Sequence, residues 1–218
     1  MPLLLTGCLL TPGKFSSRLT VNADRSFTFS YQGEVIALDP DKAMSGAMSD
    51  AIEGAAKNKA EAAKNREAEG RDNAAKNAAL AEALGREAGY RSVRYLGGNR
   101  FLIDYQLSGT LSHGFVFPFN SDAGAIFPFL SVELRANGTV RVKAPGFAAD
   151  DSGLGRDAPG MNRPASEVDG VFVIDTDAEI VSQNSEDGAT AGTEGRRLLS
   201  WKATPLTRDA PTAVLRLK

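Results

Sequence analysis

In several segments of this chain apolar side chains recur at every second position, and that period confines those segments to half-buried β-strands. Leu19 and Val21 alternate with polar neighbours, Asn22-Ala23-Asp24-Arg25 carries turn chemistry, and Phe27, Phe29 and Tyr31 then line one face opposite Thr28, Ser30 and Gln32. The segment from Phe15 to Ala37 therefore reads as an antiparallel hairpin. The pattern returns from Tyr90 onward. Phe101, Ile103, Tyr105 and Leu107 make one strand; Leu130, Val132 and Leu134 make another. Asn137-Gly138 then turns the chain into Thr139–Val142, and Asn-Gly between alternating runs is the strongest short-range hairpin signal. Val171–Ile174, Glu179–Ser182, Arg197–Ala203 and Thr212–Lys218 complete the strands, after a Gly/Pro/Asp-rich loop over 144–168.

One segment breaks the period. Asp39 is placed to cap a helix with Pro40 at its first position, and Met44, Met48 and Ile52 follow on one face. Between Ala51 and Ala88, Ala and charged residues dominate, and Ile52, Leu80 and Leu84 are the large apolar side chains. That composition favours helix but buries little. Leu80, Ala81 and Leu84 bring the helix back to the body, with Gly89 placed to cap it. Hairpins without regular βαβ alternation predict an α+β fold: a mostly antiparallel sheet of about 7–9 strands, with a long Ala/Lys/Glu-rich helical insertion after the first hairpin.

The amino terminus carries the most specific chemistry. Leu5-Thr6-Gly7-Cys8 contains the only Cys in the chain and resembles a bacterial lipobox. Small residues let the backbone enter a peptidase groove, and the Cys8 thiol is the nucleophile that takes the lipid. A leader of this kind has a basic n-region and about 7–15 apolar residues. Lys14 is the first basic residue here, so the lipobox reading places the true start upstream. On that reading residues 1–7 are processing sequence, 8–13 a short tether, and 14–218 a single α+β domain with a helical excursion over about 40–88. The tether Leu9–Gly13 would span at most about 17 Å. If the match is chance, Cys8 is an ordinary buried thiol and the domain a cytoplasmic interaction domain.

Other chemistries find little support. Lys+Arg 25 against Asp+Glu 27 gives a net charge of −2, and the basic residues form no stripe, which argues against nucleic acid. No stretch approaches the roughly 18–20 apolar residues of a spanning helix. A single Cys excludes an internal disulfide, and a single His, His113, excludes sites that need two. His113 beside Ser112 lacks the surroundings of a nucleophile elbow and reads as a loop or strand-edge residue. Asp150-Asp151 and Asp175-Thr176-Asp177 lack the spacing of a calcium loop, and the second reads as turn chemistry. Gly153-Leu154-Gly155 and its neighbours lack the spacing of a phosphate cradle. No catalytic residue, metal or cofactor is expected. The rival enzymatic reading, a carboxylate hydrolase of the envelope, requires two carboxylates about 5–9.5 Å apart in a cleft.

The remaining feature is aromatic. Phe115, Phe117, Phe119, Phe127 and Phe129 fall in two Phe-Pro-Phe triplets around the small residues 121–125. Proline in each run forbids a central, fully paired strand. Either these side chains plug the core from an edge hairpin, or they form an apolar lip for acyl chains or a hydrophobic partner.

Taken together the pieces look like a bacterial envelope lipoprotein. The arrangement is similar to the mycobacterial lipoprotein family LppM, on the Gly7-Cys8 start, Leu19-Thr20-Val21-Asn22-Ala23-Asp24 leading into a second strand, a helical stretch, and Leu199-Ser200-Trp201-Lys202 before the last strand. The resemblance implies an α+β domain, acylation of Cys8 and an association with envelope glycolipids. It predicts a non-enzymatic protein held at the membrane, binding a lipid or an envelope protein. Leu9 in place of an Asp after the Cys leans toward the outer membrane, by analogy with enteric bacteria.

Overall fold

The computed structural model describes residues 9–38, 73–118, 128–148 and 167–218. Those residues are mostly β, with one helix, and form a seven-stranded and a five-stranded sheet. In the larger sheet the central strands are β1 (Leu9–Val21) and β2 (Ser26–Leu38), the expected hairpin. The antiparallel strands β4 (Arg100–Thr110) and β3 (Tyr90–Gly97) follow β2. On the other side of β1 lie β8 (Asp169–Thr176), β11 (Arg197–Ala203) and the short β10 (Thr190–Ala191). The smaller sheet has the order β5 (Gly114–Phe117), β6 (Leu130–Leu134), β7 (Thr139–Lys143), β12 (Thr212–Arg216), β9 (Glu179–Gln183).

Alternation decides which side of each strand is buried. Leu19 and Val21 on β1, Phe29 and Tyr31 on β2, Phe101 and Ile103 on β4, and Phe172 and Ile174 on β8 all point to one face. The smaller sheet covers that face. Phe117 of β5 lies with its ring centroid 5.0 Å from Phe29, 5.2 Å from Tyr31 and 4.6 Å from Tyr105. Phe147, in a 3-10 turn over Pro145–Phe147, stacks on Phe15 at 4.4 Å and meets Phe172 at 5.3 Å. Asn184 stitches the two sheets at one side. Its Oδ1 accepts from Trp201 Nε1 at 3.0 Å and from the Thr212 amide at 2.8 Å, while its Nδ2 donates to Ala210 O at 2.8 Å.

Several expectations need correction. The strands number twelve in two sheets among the described residues, rather than about 7–9 in one. The additional ones include short strands, such as two-residue β10 and four-residue β5, that alternation hardly marks. The central β1–β8 pair is parallel, a pairing between residues some 155 positions apart that no local pattern specifies. The expected tether is also not slack. Residues 9–12 are paired to 35–38, from Leu9↔Leu38 to Pro12↔Val35. Pro12 fits there because β8 does not begin to pair with β1 until Lys14, so among the described residues no strand pairs with the other edge of β1 at Pro12.

The helix α1 covers 73–84, and residues 39–72 of the expected excursion, with Met44, Met48 and Ile52, lie outside the described residues. Asn77, Ala81 and Leu84 are its buried positions, and Leu80 packs against the core beside them. The helix stops at position 84, before Gly89; turns carry the chain on, with Gly85 N donating to Ala81 O and Glu87 N to Leu84 O. Gly89 serves a different purpose. It has φ +92° and lies flat on the Tyr105 ring, where a Cβ would come within 2.6 Å of Cε2. The described helix is not long and apolar enough to cross a membrane.

Candidate functional site

Strand direction sorts the described connections into two ends. At one end β1 starts and β2 finishes, in the register Leu9↔Leu38. The turn from β3 to β4 lies at the same end, since Gly97 pairs with Arg100, Arg100 with Ile36, and Ile36 with Thr11. So do the start of β8, where Asp169 faces Lys14, and the finish of β11, where Ala203 faces Gly170. The 204–211 connection leaves from there to Thr212, which pairs with Lys143, itself opposite Ser131. The finish of β5 follows, with Phe117 opposite Leu130. The opposite end holds tight turns, closed by Arg25 N to Asn22 O at 3.0 Å and Gly138 N to Arg135 O at 3.0 Å. The chain terminus is fastened there by Lys218 N to Ala23 O at 3.2 Å.

The residue preceding Leu9 is Cys8, which lies outside the described residues together with Leu5-Thr6-Gly7. Covalent geometry alone fixes its Cα about 3.8 Å from that of Leu9.

The phenylalanines divide by position. Phe117 and Phe129 are each 1% exposed and belong to the aromatic core. Phe115 is half-buried, with ring centroids 5.3 Å from Phe27 and 5.4 Å from Phe29. Phe119 and Phe127 lie outside the described residues. In the folded chain Phe117 and Phe129 have no surface to offer a bilayer; they fill the space between the sheets. β5 is an edge strand that ends before Pro118, and β6 starts after Pro128, the positions that proline permits.

The Asp175-Thr176-Asp177 cluster is structural. Asp175 receives Arg196 Nε at 2.5 Å and Arg18 Nη1 at 3.0 Å, and Arg196 Nη1 also reaches Asn22 Oδ1 at 2.9 Å. Asp177 Oδ1 accepts the Ala23 amide at 2.8 Å, and Thr176 donates to Val21 O at 2.7 Å. The Asp-Thr-Asp run thus fastens the β8–β9 turn to the β1–β2 turn. Asp150 and Asp151 lie outside the described residues. Glu34 and Glu167 both bind Arg100, at 3.3 and 2.5 Å, and these contacts raise the guanidinium's affinity for its proton. A hydrolytic pair needs one carboxyl kept away from cations; both of these face one. Among the described residues no group of three or more His, Cys, Asp or Glu side chains could hold a metal ion. His113 Nδ1 lies 3.3 Å from Ser112 Oγ, with both side chains exposed at the end away from β1's start. An open groove of about 540 Å³ runs between β9 and the start of β11, lined by Ile180, Val181, Ala189 and Arg197 among others. Its acidic neighbour Glu179 is held by Arg216 at 2.8 Å.

Sequence reading did not single out Arg196, Arg100, Asn184 or Leu206. The first three act through partners distant in sequence. Leu206 sits in a turn where periodicity assigns no face, and it is 86% exposed.

No known protein family matches the chain, and no curated protein matches it. Among solved structures, the chain is loosely similar to the folded domain of LppM from Mycobacterium tuberculosis, determined by NMR. The TM-score is 0.32 at 16% identity, covering 100% of this chain and 95% of that one. An M1 zinc metallopeptidase from Deinococcus radiodurans gives a TM-score of 0.30 at 10% identity over 94% of this chain. A two-domain M1 zinc metallopeptidase bound to L-arginine gives 0.26 at 11% over the same share. The chain spans 42% of each metallopeptidase, and no residue role passes from these proteins to it.

Proposed function

We propose that this chain is a lipoprotein of the bacterial envelope, held to the bilayer by acylation of Cys8. Its β-rich domain works there without catalysis, binding an apolar or amphipathic envelope molecule or an envelope protein. The observation that carries this reading is that Leu5-Thr6-Gly7-Cys8 immediately precedes, in sequence, the first paired residue of β1, Leu9. A chain cleaved before Cys8 would keep the whole described fold, because every described strand lies beyond the cut. Two or more acyl chains on one Cys give stable anchoring, whereas one chain binds only marginally. Leu9 after the Cys, in place of Asp, favours the outer membrane in bacteria that have one.

Fractionation tests this reading. In the native host the wild-type chain should sediment with membranes, survive high-salt and carbonate washes, and enter the detergent phase on phase separation. Cys8→Ser should appear in the soluble fraction. Equal solubility of both chains would contradict the proposal.

A further inference from the structure

The sequence holds a single Asn-Gly pair, Asn137-Gly138, and the asparagine is exposed in the turn between β6 and β7. Glycine leaves its own nitrogen open to close approach, and the chemistry available to the pair is deamidation. Gly138 N gives up its proton and bonds to Asn137 Cγ, the carboxamide nitrogen leaves as ammonia, and water then opens the cyclic imide to aspartate or isoaspartate. The turn holds the reacting atoms apart. Gly138 N donates to Arg135 O at 3.0 Å, and Arg135 N donates to Thr139 O at 2.8 Å. Gly138 has φ +75°, whereas Arg25, Asn99 and Glu194 are the described non-glycine residues with positive φ. With Ala136 and Asn137 at negative φ and the turn bond closed, Arg135–Gly138 is a type I turn, which sets ψ of Asn137 to about 0°. Ring closure needs rotation about that bond until Gly138 N eclipses Cβ, and the rotation breaks the bond to Arg135 O.

The side chain is pinned as well. Asn137 Oδ1 accepts the Thr139 amide at 3.2 Å and the Thr139 hydroxyl at 2.6 Å, and Thr139 is itself buried. Leu217 N donates to Gly138 O at 3.1 Å and Arg216 pairs with Thr139, so β12 braces the same peptide. We infer that Asn137 is a deamidation site that this turn holds shut, with Thr139 as the residue that fixes its side chain. The inference is independent of the state of Cys8. Reaction at Asn137 replaces a neutral amide with a carboxylate. The isoaspartyl product also adds a methylene to the backbone, which puts Thr139 O out of register with Arg135 N and shifts Gly138 O away from Leu217. A modified chain therefore loses the closure of the β6–β7 hairpin and the Leu217 bond together.

The test incubates the full folded chain in mildly alkaline buffer, beside the same chain unfolded in guanidinium chloride. Trypsin releases Ala136–Arg141, in which the mass gain of amide-to-acid conversion and the separated isoaspartyl form are quantified. The folded chain should deamidate about tenfold more slowly or less, since turn hydrogen bonds must break first. Equal rates in the two states overturn the inference. Thr139→Val keeps the shape of the side chain, removes the hydroxyl, and should speed the reaction of the folded chain several-fold. A donor on Oδ1 also stabilises charge that develops there during attack. A slower Thr139→Val would therefore make Thr139 an accelerant, and that result, like an unchanged rate, overturns its part in holding the site shut. Ala136→Pro, at an exposed position that proline fits in a type I turn, should slow the reaction further. A rate unchanged or raised by that proline would overturn the turn as the source of protection.

Discussion

Gly170 on β8 faces Phe15 on β1 across the parallel pair, and a Cβ at Gly170 would lie 2.5 Å from both Phe15 Cδ1 and Phe15 O. Gly33 on β2 closes on Phe15 from the other side, where a Cβ would lie 2.5 Å from Phe15 Cα. Two glycines thus let the Phe15 ring lie down between strands and stack on Phe147. Gly170→Ala should cost about 1–3 kcal/mol, the range for overpacking a core, because backbone oxygen cannot move aside as a side chain can. Urea unfolding of the variant measures it; a change below about 0.5 kcal/mol would show that the close approach is not maintained.

The two readings of the Phe-Pro-Phe segment predict different stabilities. Phe117→Ala removes a ring packed against Phe29, Tyr31 and Tyr105, and should cost about 3–5 kcal/mol. Val116→Ala, next along β5 and 36% exposed, should change stability by less than about 0.5 kcal/mol. Comparable small losses at both positions would return Phe117 to the surface.

Arg196 and Arg18 both bind Asp175, but under different exposure. Arg196 is enclosed enough to add bonds to Asn22 Oδ1 and Asp175 O, whereas the Arg18 side chain is 50% exposed. Arg196→Met should therefore cost about 1–2 kcal/mol and Arg18→Met less than about 0.5 kcal/mol. Thermal unfolding at low and high salt separates them. The Arg196 loss should persist in salt, and a salt-erased loss would mean that the pair is solvent-screened.

Alkaline pH should weaken the fold. Burial raises the phenols of Tyr31, Tyr90 and Tyr105 above the ordinary tyrosine value; Glu34 adds to the effect at Tyr31, and Tyr105 and Glu87 add to it at Tyr90. Above about pH 10 the unfolded chain loses phenolic protons that the folded chain keeps, so the stability present below that pH falls as pH rises further. Tyrosinate absorbance should show phenols that ionise only as the chain unfolds. Tyr31→Phe should cost about 1 kcal/mol at neutral pH through loss of the 2.8 Å bond to Glu34 O, and should shallow the alkaline decline. A decline as steep as that of the unaltered chain would place the sensitivity elsewhere.

The fold was legible wherever local pattern decides it. Phe27-Thr28-Phe29-Ser30-Tyr31 faces as its alternation requires, and Asn137 Oδ1 accepts the Thr139 amide at 3.2 Å in the turn that Asn-Gly announces. Long-range pairing was not legible. Nothing in Leu19 or Ile174 states that they lie side by side in parallel strands, and nothing in Asn184 states that it will join Trp201 to Thr212. Leu9–Gly13 contains proline and glycine, which read as linker in the sequence, and the strand that residues 9–12 pair with lies at 35–38.

The central claim is the covalent state of Cys8, and mass spectrometry of the amino-terminal peptide from the native host tests it most directly. The account predicts a peptide that begins at Cys8 and carries a thioether-linked diacylglyceryl group, with Cys8→Ser unmodified. A peptide containing residues 1–7 joined to an unmodified Cys8 would contradict it.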